Sequence, residues 1–100
     1  MSQFPEFEYR QQQLMIEDCA IKDLAHEFGT PLYIYSKKAL QQRWQELQNA
    51  FSETPFLPCF AVKANSNLAI LQLLASWGAG FDIVSIGELE RVLQAGGDAA

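Results

Sequence analysis

Two residues of this chain stand where alternating strand–helix proteins keep their reactive groups, Lys63 and Asp82. Lys63 follows the apolar run Pro58-Cys59-Phe60-Ala61-Val62, which reads as a strand. It precedes Ala64-Asn65-Ser66-Asn67, which reads as the turn that opens a helix. A lysine at the C-terminal end of such a strand points into the mouth of an α/β fold. An amine held there, partly shielded from water, can lose its proton and form a Schiff base with an aldehyde. The plainer alternative is a solvated loop lysine. Asp82 interrupts the apolar run Phe81-Asp82-Ile83-Val84. A carboxylate inside a buried strand is costly unless it is paired or hydrogen-bonded, so Asp82 is expected either to face the site or to orient the loops beside it.

The elements that must position these two residues follow from spacing. A first short strand is expected over Gln13 to Ile16, after a loose terminus from Met1 to Pro5. Ile21, Leu24, Ala25 and Phe28 fall on one face of a helix from about Ile21 to Phe28, with Gly29 placed to end it. Leu32-Tyr33-Ile34-Tyr35 reads as a short strand after Pro31. Ser36 is a natural N-cap for a helix of about fifteen residues whose apolar stripe is Leu40, Trp44, Leu47 and Phe51. Ser52 to Pro55 breaks that helix, and the strand leading to Lys63 follows. A third helix is expected from about Leu68 to Trp77, with Leu71 and Leu74 inward and Gly78 as its stop. Gly80 to Val84 makes the next strand. Ser85-Ile86-Gly87-Glu88 has the form of a capping box for a last helix carrying Leu89, Val92 and Leu93. Strand, helix, strand and helix joined by short loops predict parallel strands lying side by side, so that Lys63 and Asp82 meet at one level. The nearly continuous apolar runs predict a sheet covered on both faces.

Three blocks of this sequence resemble the diaminopimelate decarboxylases in order and spacing. They are Gly29-Thr30-Pro31-Leu32-Tyr33-Ile34-Tyr35-Ser36, Phe60 to Asn67, and Gly78-Ala79-Gly80-Phe81-Asp82-Ile83-Val84-Ser85 followed by Gly87-Glu88-Leu89-Glu90-Arg91-Val92. Tyr9-Arg10 and Leu14 to Asp18 also fit the start of the bacterial enzymes. The resemblance implies an α/β fold, the N-terminal part of an alanine-racemase-like (β/α)₈ barrel of the TIM type. Residues 1–36 would be an entry segment associated with a C-terminal β domain, and residues 37–100 the first two strand–helix units of the pyridoxal-phosphate-binding barrel. It implies Lys63 as the residue that carries pyridoxal 5'-phosphate as a Schiff base, Asp82 as a carboxylate near it, and no metal. It implies decarboxylation of meso-diaminopimelate to L-lysine by a homodimer. A related barrel decarboxylase acting on ornithine, arginine or a polyamine precursor, and a non-catalytic pyridoxal-phosphate-binding homologue, are the alternatives.

Two positions depart from that pattern. Phe60 stands where the family usually has tyrosine, which removes a hydroxyl but keeps the volume. Ile86 stands where a second glycine is usual, and a β-branched residue there would be costly if φ were positive. Ser85 and Glu88 are explained by helix capping, while Asn65 and Ser66 either shape the turn or hydrogen-bond within the site. His26 is expected on the surface, Cys59 in the core, and Trp44 and Trp77 on core stripes.

Composition bounds the rest. Aspartate and glutamate outnumber lysine and arginine by 12 to 7, for a formal charge of −5. No basic cluster exists to follow a phosphate backbone, so nucleic acid is not an expected partner. The first ten residues lack the pattern of a signal peptide, and the apolar runs are short of the roughly 20 residues that span a bilayer. Cys19 and Cys59 have neither disulfide-framework nor zinc-site spacing. These observations predict a cytoplasmic protein with no membrane partner; a small amino-acid substrate is what the resemblance implies. One hundred residues fall short of the roughly 250 of a complete barrel, so a piece of a longer enzyme is expected, inactive by itself and, as the resemblance implies, homodimeric when complete.

Overall fold

The computed structural model describes residues 5–99, so the expected loose terminus lies, apart from Pro5, outside it. The described residues form two compact units, one ending at Glu53 and the other beginning at Thr54.

The first unit opens with an antiparallel sheet in the order β1 (Phe7–Arg10), β2 (Gln13–Ile16) and β3 (Cys19–Ala20). Phe7 pairs with Ile16 and Arg10 with Gln13. β2 is the strand expected from its residues, whereas β1 and β3 are additions. The β1–β2 hairpin turns through Gln11 and Gln12 at φ of 51° and 67°, a two-residue connection usually given to Asn-Gly because both central residues sit at positive φ. Helix α1 (Ile21–Phe28) has the expected bounds, and the Gly29 N–H donates to the Ala25 carbonyl at 2.8 Å with Gly29 at φ +80°. Such a φ is easy for glycine and strained for other residues.

The strand expected over Leu32-Tyr33-Ile34-Tyr35 is not formed; these residues are irregular. Their β-branched and aromatic side chains suit a pleated surface, but a strand exists only where a neighbour takes up its ladder, and no described segment does so. Ser36 then caps α2 (Lys37–Ala50), its Oγ accepting from the Ala39 N–H at 3.0 Å and donating to Glu17 Oε2 at 2.9 Å. Ser36 is buried, yet no residue of α2 is: Leu40 and Trp44 are half-buried, and Leu47 and Phe51 are exposed. The stripe is as spaced, but the first unit does not cover it.

The second unit is a parallel pair, β4 (Cys59–Ala61) and β5 (Gly80–Asp82), each followed by a helix. Helix α3 spans Leu68–Ser76 and α4 spans Ile86–Gln94. Both strands are shorter than their apolar runs, because the chain leaves the extended form at Val62 and again after Asp82. The adjacency is the expected one: Cys59 pairs with Gly80, Phe60 with Phe81 and Ala61 with Asp82. A Cβ on Gly80 would lie 2.6 Å from Cys59 Sγ, so glycine permits this approach of the strands. Val62, Leu71, Val92 and Ala95 form the buried cluster, with Phe60, Leu68, Phe81 and Ile83 against it. Burying Val62, Leu71 and Val92 contributes roughly 1.5–3 kcal/mol each.

Two expectations fail here. The sheet is not covered on both faces, since Cys59, Asp82 and Val84 are exposed and two strands with two helices shield only one side. Cys59 is therefore not a core residue.

Candidate active site

The end of the parallel pair carries the candidate site. After Ala61 the chain tightens into a single 3₁₀ turn, Val62–Ala64, which sends Val62 into the core and leaves Lys63 exposed. The turn is fixed by bonds from every side. The Asn65 N–H donates to the Val62 carbonyl at 3.0 Å, and Asn65 Oδ1 accepts from the Asn67 N–H at 3.0 Å. Asn67 Oδ1 accepts from the Ala69 N–H at 2.9 Å and caps α3. Asn65 therefore shapes the turn, one of the two roles expected for it.

Across the pair, Ser85 Oγ accepts from the Glu88 N–H at 3.1 Å, as its spacing predicts. Glu88 Oε1 accepts from the N–H of Val84 at 3.0 Å, one residue earlier than in the usual reciprocal box. Both side chains are thus engaged in starting α4. Ile86 is the first residue of that helix, 76% exposed, and is not among the described residues with positive φ. Its β-branch carries no backbone strain.

Between the lysine turn and α4 lies an open cleft of about 610 Å³, lined by Val62, Lys63 and Ser66 on one side and by Ser85, Gly87, Glu88, Glu90, Arg91 and Gln94 on the other. Lys63 is the one amine lining it. Pockets for small molecules and cofactors typically measure about 300–1,000 Å³, and this cleft is of that size. Ser66 belongs to it, while Asn65 does not.

Asp82 is exposed and does not line the cleft, and no ion pair joins it to Lys63 among the described residues. The premise of a buried carboxylate is also overturned. The reason is local: strand alternation would have brought Lys63 to the side shared by Ala61 and Asp82, but the 3₁₀ turn ends the period-two pattern one residue too soon. What holds is that Asp82 lies beside Ala61, at the strand end from which the lysine turn rises.

His26 is exposed, as expected, and Trp44 and Trp77 are half-buried. Sequence reasoning missed Arg91 and Gln94. The signal was available for Arg91, which sits one turn after Glu88 and so faces the same way at helical spacing.

A model of the family described as pyridoxal-dependent decarboxylase, pyridoxal binding domain, matches residues 37–100. The diaminopimelate decarboxylase of Haemophilus influenzae is 52% identical over 94 residues, which is 94% of this chain and 23% of that protein. That of Neisseria meningitidis serogroup A is 56% identical over 87 residues, 87% of this chain and 21% of that protein. Among solved structures, diaminopimelate decarboxylase from M. jannaschii in complex with L-lysine superposes with a TM-score of 0.89 at 34% identity, over 95% of this chain and 23% of that one. The chain thus spans about a quarter of the length of the relatives it matches. The α/β barrel fold expected from sequence holds for it as an N-terminal portion, and by its match over residues 37–100 the chain belongs to the pyridoxal-dependent decarboxylases.

Proposed function

We propose that this chain is the cofactor-attaching part of a decarboxylase that converts meso-diaminopimelate to L-lysine with release of carbon dioxide. The observation that carries the reading is Lys63 on an open cleft at the C-terminal end of the parallel pair, in a chain about half identical to diaminopimelate decarboxylases along nearly its whole length.

The residues present fit one wall of a site for pyridoxal 5'-phosphate. Lys63 would hold the aldehyde through its Nζ, and the cleft has room for a ring beside it. When bound, the cofactor supplies the electron sink that makes loss of a carboxylate feasible. The chain's own part is to present the amine, keep its turn rigid, and offer a group that can hold or move a proton. Asp82, beside Ala61, is assigned the electrostatic role of a carboxylate at the strand end near that amine. Residues 1–36 are assigned to an entry segment that belongs with a β domain, and residues 37–100 to the barrel. The start of the family match at residue 37 supports that division. The complete enzyme is taken to be a cytoplasmic homodimer with a small amino-acid substrate and no nucleic-acid or membrane partner. No described helix is long and apolar enough to cross a membrane.

A second reading, decarboxylation of ornithine, arginine or a polyamine precursor, is compatible with the family model, whose description names the cofactor and the reaction but no substrate. The full-length protein, loaded with pyridoxal phosphate, is expected to release carbon dioxide from meso-diaminopimelate at least about a hundredfold faster than from ornithine or arginine, a lower bound beside the roughly 10⁴–10⁵-fold discrimination of a site built to hydrogen-bond a polar group. Preference for ornithine or arginine would overturn the substrate. Failure of borohydride to trap the cofactor on Lys63 would overturn the site.

A further inference from the structure

We infer that Arg91 is a positioning residue that acts on Lys63 through the backbone of the intervening turn, an inference that rests on the reading of Lys63 as the attachment residue. Arg91 Nε donates to the Ser66 carbonyl at 2.9 Å, across 25 residues of sequence. Outside the strand ladder, the other hydrogen bonds of the Val62–Asn67 segment among the described residues are local ones, within the segment or to the first turn of α3. Among the described residues, Arg91 therefore makes the one side-chain bond that ties the lysine turn to the opposite wall of the cleft. Both Lys63 and Arg91 line that cleft.

The chemistry suits the task. A guanidinium is planar and always charged, so a bond from Nε fixes the plane of the whole group, and a charged donor makes a stronger bond than a neutral one. Val92, the next residue, is buried in the core at 5% exposure, which anchors the helix from which Arg91 reaches. The terminal nitrogens of Arg91 have no hydrogen bond among the described residues, so Arg91 reaches the turn through Nε alone.

That last point makes a clean test possible. Glutamine places an N–H donor as many bonds from Cα as the Nε of arginine, without the charge. In the full-length protein, Arg91→Ala is expected to speed hydrogen exchange of the amides from Lys63 to Asn67 roughly fivefold, the scale of one partly solvated hydrogen bond. The rate at which borohydride traps pyridoxal phosphate on Lys63 should fall by a similar factor, and the pH midpoint of the loaded protein's absorbance band should move. Arg91→Gln is expected to restore all three readouts. Wild-type exchange in Arg91→Ala would overturn the inference. So would restoration by Arg91→Lys but not by Arg91→Gln, which would show that the cleft uses the charge. If the wild type traps no cofactor on Lys63, the attachment reading falls instead, and the exchange rates still decide whether Arg91 holds the turn.

Discussion

Residues 5–53 and residues 54–99 use the same vocabulary of short strands and amphipathic helices, yet they spend their apolar residues differently. The second unit closes Val62, Leu71, Val92 and Ala95 into a dry cluster directly under the lysine turn. The first buries Ile16 and Ala20 together with two polar residues, Glu6 and Ser36, and leaves Phe28, Tyr33, Tyr35, Leu47 and Phe51 exposed. Its order comes from hairpin pairing and from the Ser36 cap rather than from a core. The difference teaches where rigidity is needed. A reactive side chain is held to useful tolerance only when packing fixes the backbone that carries it, and the unit that bears Lys63 is the one that packs.

The contrast can be broken or sharpened by substitution. The largest effect belongs to Lys63→Ala, which should abolish cofactor retention after borohydride treatment and dialysis of the full-length protein, as read by mass, while Lys38→Ala in the first unit retains it. Equal labelling of both variants would remove the site from the second unit. Leu71→Ala empties the centre of the buried cluster and should cost about 3 kcal/mol in urea unfolding. Next comes Gly97→Ala. A Cβ there would clash with Val92 Cγ1 and approach the Val92 carbonyl at 3.0 Å, and such overpacking against a buried residue should cost about 2 kcal/mol. In the first unit Ser36→Ala should cost about 1 kcal/mol, the usual worth of an N-cap, with circular dichroism showing fraying at the start of α2. Leu47→Ala, on the exposed stripe, should fall within about 0.5 kcal/mol. A cost above about 2 kcal/mol there would show that something beyond the described residues covers the stripe.

How much of this was legible depended on whether the cause lay within a few residues. Helix α1, the Ser36 and Ser85 caps and the glycine stops at Gly29 and Gly78 are each set by one or two neighbours, and they stand where spacing puts them. The pairing of β4 with β5 was legible for a different reason, since a strand, helix and strand joined by short loops place the two strands side by side and parallel. The first hairpin was not, because Gln11 and Gln12 give no sign of the positive φ that their neighbours impose. Leu32 to Tyr35 misled in the opposite way: the propensity is present, but the partner that would make it a strand is not among the described residues. For the site, Lys63 was legible from its place at a strand end. The displacement of Asp82 from the cleft was not, since it follows from one 3₁₀ turn that breaks alternation between Ala61 and Lys63. Arg91 was not singled out from the sequence, and only the fold brings it to Ser66.

Val62 is wholly buried and Lys63, its neighbour, is exposed. That adjacency separates two clocks. The α-carbon of the lysine can be displaced only by pulling Val62 from the cluster, an opening that draws on the stability of the whole second unit and is correspondingly rare. The lysine side chain beyond it turns about its own bonds in picoseconds to nanoseconds, as exposed rotamers do. The chain thus offers an amine that sweeps quickly through a small arc from a nearly stationary pivot. Such a group can be captured by a ligand and released again without any rearrangement of the fold.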